Sequence, residues 1–217
     1  MTWPAAWTII EGALVTAWLS AIGIALSLPL GLLLAIIRWR RVAVLDGVLA
    51  GFVSLIRATP FVTLVLFIFF VLPSLGIELK PIPAAIVALT INTMAFSSEI
   101  WRSALDSFPR DQREAAEACG MSEFQALRRV IFPQIWRSSL GPLVSEATIL
   151  LKCTPAIAVI GVVEITRAAS RIGAETYEPL PPFLLATVLY TALIAVLVRG
   201  QRYVERRVAN RYGYVAP

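Results

Sequence analysis

An all-α polytopic membrane protein with five transmembrane helices is the architecture to which this chain points, and three observations carry that reading. Of its 217 residues, 58% are hydrophobic, where a soluble domain holds roughly 45–50%. The excess is gathered into runs close to the ~20 residues that cross a bilayer as helix. Basic residues collect on one side of those runs, as they do beside cytoplasmic loops. Lipid offers the backbone no hydrogen-bond partner, so the runs are read as helices, which satisfy every N–H and C=O internally.

The first span runs from about Ala13 to Ile37 and ends in Arg38, Arg40 and Arg41. The segment before it has no basic n-region, and the run is longer than a signal-peptide core, so it reads as a retained helix. Val42 to Ile56 is apolar apart from Asp46 but short. It reads either as an interfacial helix or as the lower part of a broken second helix. The second span covers about Pro60–Ile77 and the third about Ile82–Trp101. A polar stretch, Arg102–Arg137, separates these from a fourth span over about Ser139–Val162. The fifth covers about Phe183–Val198, and a basic tail, Arg199–Pro217, closes the chain.

Counting five spans with the N-terminus outside puts fifteen arginines inside: Arg38, Arg40, Arg41, Arg57, Arg102, Arg110, Arg113, Arg128, Arg129, Arg137, Arg199, Arg202, Arg206, Arg207 and Arg211. Lys80, Arg167 and Arg171 fall outside, and Lys152 lies within a span. Taking Val42–Ile56 as a sixth span would split the basic clusters between two sides, against the positive-inside rule. No linker or repeat interrupts the chain, so residues 1–217 form one domain.

Composition also removes function classes. There is no histidine, the commonest general base. The two cysteines, Cys119 and Cys153, form no metal-ligand set, so no metal site is expected. The net charge of +5 is explained by loops facing anionic lipid, without nucleic acid. Ser97-Ser98-Glu99 has no positioned base, and no G-x-S-x-G is present, which argues against an intramembrane hydrolase. No Walker A sequence exists either, so the chain itself binds no nucleotide and is not expected to be an enzyme.

The Arg102–Arg137 stretch is organised rather than random. Asp111-x-x-Glu114 has the form of a capping box, and Ser122-x-x-Gln125 of a second. The residues Glu114–Ala118 favour helix, and Gly120 can take a left-handed terminating position. Phe124, Leu127, Val130 and Ile131 follow at helical spacing, and Pro133 is expected to break the pattern before the fourth span. Two short helices around a Gly turn result.

The wording of this loop carries a resemblance. Glu114-Ala115-Ala116, three residues, Gly120, nine residues, then Val130-x-Phe132-Pro133 resembles the EAA signature of ABC importer permeases, with Phe132 in place of Leu. Arg57-Ala58-Thr59-Pro60 is similar to the Arg-Gly-Thr-Pro of polar amino-acid permeases. Ala95-Phe96-x-x-Glu99-x-x-Arg102 is similar to their Ala-Tyr-x-x-Glu-x-x-Arg, and Leu151-Lys152-Cys153-Thr154-Pro155 to Leu-Lys-Asp-Thr-Ser. The departures are Ala58 for Gly, Cys153 for Asp and Pro155 for Ser.

The resemblance implies a type I importer permease fold, MetI-like, in a bacterial inner membrane. The EAA loop, about residues 106–136, would dock on a separate ABC ATPase through Glu114, Ala115, Ala116, Gly120 and Pro133. ATP and Mg would bind that ATPase dimer, with no cofactor in this chain. A second permease subunit, identical or homologous, would complete the pathway, and an extracytoplasmic solute-binding protein would deliver a polar or basic amino acid. The competing reading from the residues alone is an ion-coupled carrier using Glu146, against which stand the short chain and the missing inverted repeats.

Ionisable groups inside a membrane are functional candidates by default. Asn92 in the third span and Glu146 and Lys152 in the fourth qualify. Glu99 shares a face with Asn92 and is placed to pair with Arg102 at i+3. Arg57-x-Thr59-Pro60 and Lys152-x-Thr154-Pro155 share a cation-x-Thr-Pro form, in which Thr would cap a helix whose free N–H groups face an anion. The expected site therefore sets a solute carboxylate near Thr59 or Thr154, with Lys152 or Arg57 beside it. The ammonium faces Glu146, and Asn92 adds a neutral hydrogen bond.

Overall fold

The computed structural model describes residues 2–41 and 43–212, with the side chains of residues 208–212 outside that description. The start of the ambiguous segment at Val42, the side chain of Arg211 and the tail beyond Tyr212 therefore lie outside the described residues. Among the described residues, nine α-helices run in order: α1 Trp3–Trp39, α2 Ala43–Ala58, α3 Phe61–Leu66, α4 Pro81–Asp106, α5 Arg110–Ala118, α6 Glu123–Ala126, α7 Phe132–Cys153, α8 Ile165–Thr176 and α9 Leu180–Tyr212.

Among the described residues, four helical stretches are long and apolar enough to cross a membrane: α1, α4, the run Glu123–Ile160 that contains α7, and α9 as far as Arg207. Together α2 and the run Phe61–Leu75 pass as a fifth, broken by a bend of 110°. The break falls at Pro60, whose ring clashes with a continuing helix. The bend sets α2 across the axis of α3, a geometry that suits either sequence reading, an interfacial helix or the lower part of a broken span. Only one face of α2, carrying Val53 and Ile56, is buried.

Several boundaries differ from expectation. α1 starts ten residues earlier than Ala13, at Trp3, where Pro4 is tolerated in the first turn. The tail expected as a polar extension after Val198 continues the α9 helix to Tyr212. α8 was not anticipated; its few apolar residues make a narrow stripe of Ile165, Ala168, Ala169 and Ile172, all buried against the start of α1 and α9. Pro133 does not break the chain. It occupies the first turn of α7, and the preceding π-helical segment Leu127–Ile131 joins it to α6. A wider π turn accommodates the missing proline donor without ending the helix.

α1 and α4 form the spine and pack along most of their length. Close approach depends on small residues, as is usual where lipid removes the hydrophobic drive for helix association. A Cβ on Gly31 would lie 2.2 Å from Ser97 Oγ, and one on Gly12 would lie 3.0 Å from the Glu164 backbone. Gly23 faces Leu89 and Leu150, while Ala35 clusters with Trp101 and Leu143. α1 and α4 are therefore parallel and α7 antiparallel to both. Glu146 sits one turn of α7 from each of these two levels. The faces left exposed are strongly apolar, with Phe67, Phe70, Leu75, Leu180, Leu184 and Val196 among them.

Candidate functional site

Three regions hold the polar chemistry: the α5–α6 loop, a charge cluster with a cleft beside it at the same end of the bundle, and a buried network at the opposite end. In the loop, Pro109 and not Asp111 occupies the position before α5, and no side chain caps it. The Asp111-x-x-Glu114 capping box is therefore not formed. Helix φ preset by Pro109 starts α5 two residues early, which leaves Asp111 in the first turn, where its charge suits the dipole. The exit matches expectation. Met121 N–H donates to Ala116 O at 3.1 Å and Gly120 N–H to Glu117 O at 2.9 Å, with Gly120 at φ +74°; this is a Schellman ending. Ser122 and Gln125 then make the expected reciprocal capping box.

Ala116, Leu127 and Ile131 anchor the loop on the bundle, whereas Glu114, Ala115 and Gly120 face outward and Pro133 is half-buried. Phe124, grouped by spacing with the buried positions, is 62% exposed. A helix pair held by two sets of terminal hydrogen bonds thus offers an aromatic side chain to a partner.

At the ends of α1, α2 and α4, Glu99 gathers three arginines. Arg102 donates to its Oε2 at 2.9 and 3.2 Å, Arg38 donates to its Oε1, and Arg57 stands 3.9 Å from Oε2. Arg38 also reaches Asp46 at 3.3 Å, and Arg102 reaches Asp106 at 2.5 Å. The Glu99–Arg102 pair was legible at i+3. The other two arginines lie 61 and 42 positions away, and no local signal announces them.

A cleft of about 930 Å³ opens beside this cluster, from Pro109 at the loop up to Glu146, with Arg57, Phe96, Glu99 and Ser139 on its walls. Glu146 is 6% exposed, and its Oε1 has no hydrogen-bond partner among the described residues. The remaining expected solute contacts are elsewhere. Asn92 is buried in α4 and does not line the cleft. Lys152 is exposed, and six residues of helix turn it away from Glu146.

Neither Thr-Pro pair caps a helix, which corrects that expectation. Thr59 Oγ1 donates back to Leu55 O at 2.8 Å and Thr154 Oγ1 to Leu151 O at 2.8 Å. Thr59 follows the last residue of α2 and Thr154 stands where α7 passes into the 3-10 turn Thr154–Ile160, and in both the hydroxyl shares with its own backbone N–H a carbonyl of the preceding turn.

Thr154 apart, no role was expected for the residues of the third region. Glu164 is fully buried and caps α8, its carboxylate accepting from Thr166 N–H at 2.8 Å and Arg167 N–H at 2.7 Å. Tyr190 of α9 donates to it at 2.7 Å and lies within 3.4 Å of the Thr154 and Thr166 hydroxyls. The Arg167 guanidinium donates to Ala158 O. Glu is an uncommon helix cap, so only the fold reveals this role.

Comparison with known proteins decides the family. The model of the binding-protein-dependent transport system inner membrane component matches residues 27–210. The chain belongs to that family. Among its relatives, the glutamine transport system permease protein of Escherichia coli K12 is 38% identical over 208 residues, covering 95% of each chain. The L-cystine transport system permease protein of Bacillus subtilis is 34% identical, covering 95% of this chain and 88% of that one. A solved amino acid ABC transporter superposes with a TM-score of 0.83 at 28% identity, covering 92% of this chain and 94% of that one. The MetNI methionine ABC transporter in an inward-facing form gives 0.81 at 20% identity, covering 96% and 99%. The permease thus has the expected MetI-like fold and is a transmembrane subunit of an ABC importer, which sets aside the ion-coupled carrier.

Proposed function

We propose that this permease passes a polar or basic amino acid through a pathway built with a second permease subunit, driven by an ABC ATPase docked on the α5–α6 loop. The observation that carries the reading is the cleft with Glu146 at its inner end, opening beside a loop whose exposed face is Ala115, Gly120 and Phe124. A buried carboxylate with an unused oxygen suits an ammonium group, and desolvation there strengthens the contact. The named relatives, which carry glutamine and cystine, support the solute class.

The loop end is cytoplasmic in this reading and the N-terminus outside, because the arginine excess lies at the loop end. An extracytoplasmic binding protein delivers the solute. ATP and Mg are held by the ATPase, whose groove receives the short loop helices as other amphipathic helices are received. The exposed apolar faces of α3 and α9 leave room for a second subunit as well as lipid. Asn92, Thr59, Lys152 and Thr154 remain candidates for solute contact during transport, with Glu146 foremost.

The test is uptake of radiolabelled glutamine and arginine into vesicles holding the reconstituted complex, with and without the ATPase. ATP-dependent uptake of either supports the reading. Uptake that proceeds with an ion gradient and no ATPase overturns it.

A further inference from the structure

Glu146 needs a counter-ion, and the fold supplies few. An unpaired carboxylate in a membrane interior is costly, so a cation should be within reach whenever no solute is present. Lys152 is turned away on the same helix. Arg38 and Arg102 are each engaged by two carboxylates. Arg137 lines the cleft but lies nine residues, about 13–14 Å of helix, towards the loop, and has an interaction of its own.

Arg57 differs from all of these. It ends α2 beside the 110° break, its side chain is 43% exposed, and its 3.9 Å approach to Glu99 is the longest in that cluster. Its guanidinium rests over the Phe96 ring at 5.3 Å. Phe96 and Arg57 both line the cleft that ends at Glu146. Glu99 retains Arg38 and Arg102 if Arg57 departs.

We propose that Arg57 is the resident counter-ion of Glu146, swinging from the rim of the Glu99 cluster across the cleft when no solute is bound and being displaced by the cationic group of an incoming solute. The assignment of Glu146 to the solute rests on the function proposed above; the Arg57–Glu146 pair does not. Because Arg57 competes with the solute, it sets how strongly cationic a solute must be to enter. Its return closes the cleft behind a departed solute.

Two double-mutant cycles in the assembled permease–ATPase complex test the pair, read as solute-independent ATP hydrolysis. Arg57→Gln and Glu146→Gln should each change the rate several-fold, and the double variant should do no more than either alone, a non-additivity of about fivefold as contacting charges show. Arg57→Gln combined with Glu99→Gln should show a clearly smaller non-additivity, because that pair is 3.9 Å apart and Glu99 keeps two other arginines. The reverse pattern, additive with Glu146 and non-additive with Glu99, overturns the proposal, as does an Arg57→Gln variant with no effect.

Glutamine uptake supplies an independent readout. Loss of an internal competitor should lower the KM several-fold in Arg57→Gln while Arg57→Lys stays near the parent. A raised KM in Arg57→Gln overturns the competition. If Glu146→Gln transports glutamine normally while the ATPase cycle still shows coupling, the solute site lies elsewhere and the pair stands. Should Arg57→Gln fail to assemble, Arg57→Glu with Glu146→Arg replaces it: recovered assembly and parental ATPase rate support the pair, and no recovery overturns it.

Discussion

Glu146 and Glu164 are eighteen positions apart, both buried and both carboxylates, yet their surroundings are opposite. Glu164 accepts from two backbone N–H groups and the Tyr190 hydroxyl, so its charge is spread over a complete set of donors. Glu146 has an oxygen with no partner and opens onto a cleft. A fully satisfied buried carboxylate rigidifies the elements around it, here α8, α9 and the segment after α7. An incompletely satisfied one is held at the cost of stability. The two ends of the bundle thus divide the work: one is locked by hydrogen bonds, the other is left adjustable.

Breaking the locked end should have the largest effect. Glu164→Ala strands two N–H groups and a hydroxyl in an apolar site and should cost about 3 kcal/mol or more of stability. The solubilised complex should then melt well below the parent, with poor assembly. Should Glu164→Ala melt like the parent while transport fails, the locked end would be a solute site and the contrast would collapse.

Glu146→Gln comes next and should act in the opposite manner. Removing one charge from a buried solute contact costs roughly 2–5 kcal/mol of binding, so ATP-driven amino-acid uptake should fall strongly. Thermal stability should stay near that of the parent, because Arg57 is partly exposed and keeps Glu99 as a partner. Parental uptake by both Glu146→Gln and Asn92→Ala would place the solute site elsewhere.

A smaller effect is expected at the loop. Gly120 adopts φ +74°, and a β-branched residue there pays about 1–2 kcal/mol locally. Gly120→Val should leave membrane insertion intact while uncoupling ATP hydrolysis from uptake. Coupled uptake at the parental rate in this variant would remove the loop from the ATPase contact. The smallest change is Tyr190→Phe, which deletes one of three donors to Glu164. A loss near 1 kcal/mol, seen as a slightly lowered melting temperature with uptake retained, sharpens the view that Tyr190 only completes the lock.

Local patterns were enough for part of this. Ser122-x-x-Gln125 and Gly120 were readable because a capping box and a left-handed ending involve residues within six positions of one another. Asp111-x-x-Glu114 matched the same local pattern and failed, because Pro109 fixed the helix start first. Thr59-Pro60 and Thr154-Pro155 misled for a related reason: the dipeptide suits a helix beginning, and here each threonine sits where an α-helix ends, its hydroxyl bonded back to the preceding turn. Phe124 obeyed the spacing of a buried stripe, yet it stands exposed on α6, a helix of only four residues.

What the amino-acid sequence determined by itself is the membrane architecture, the separation of basic from apolar segments, the Gly120 turn and the intramembrane carboxylate at Glu146. Each follows from composition or from contacts a few residues apart. Tertiary structure alone decided that Glu99 would hold Arg38 and Arg57 as well as Arg102, that Glu164 would be locked by Tyr190, and that Glu146 would not. Those outcomes depend on which side chains the parallel packing of α1 and α4, and the antiparallel return of α7, bring to one level. Such packing is set where Gly12, Gly23 and Gly31 let backbones approach, and charged side chains then pair with whatever the crossing places within reach.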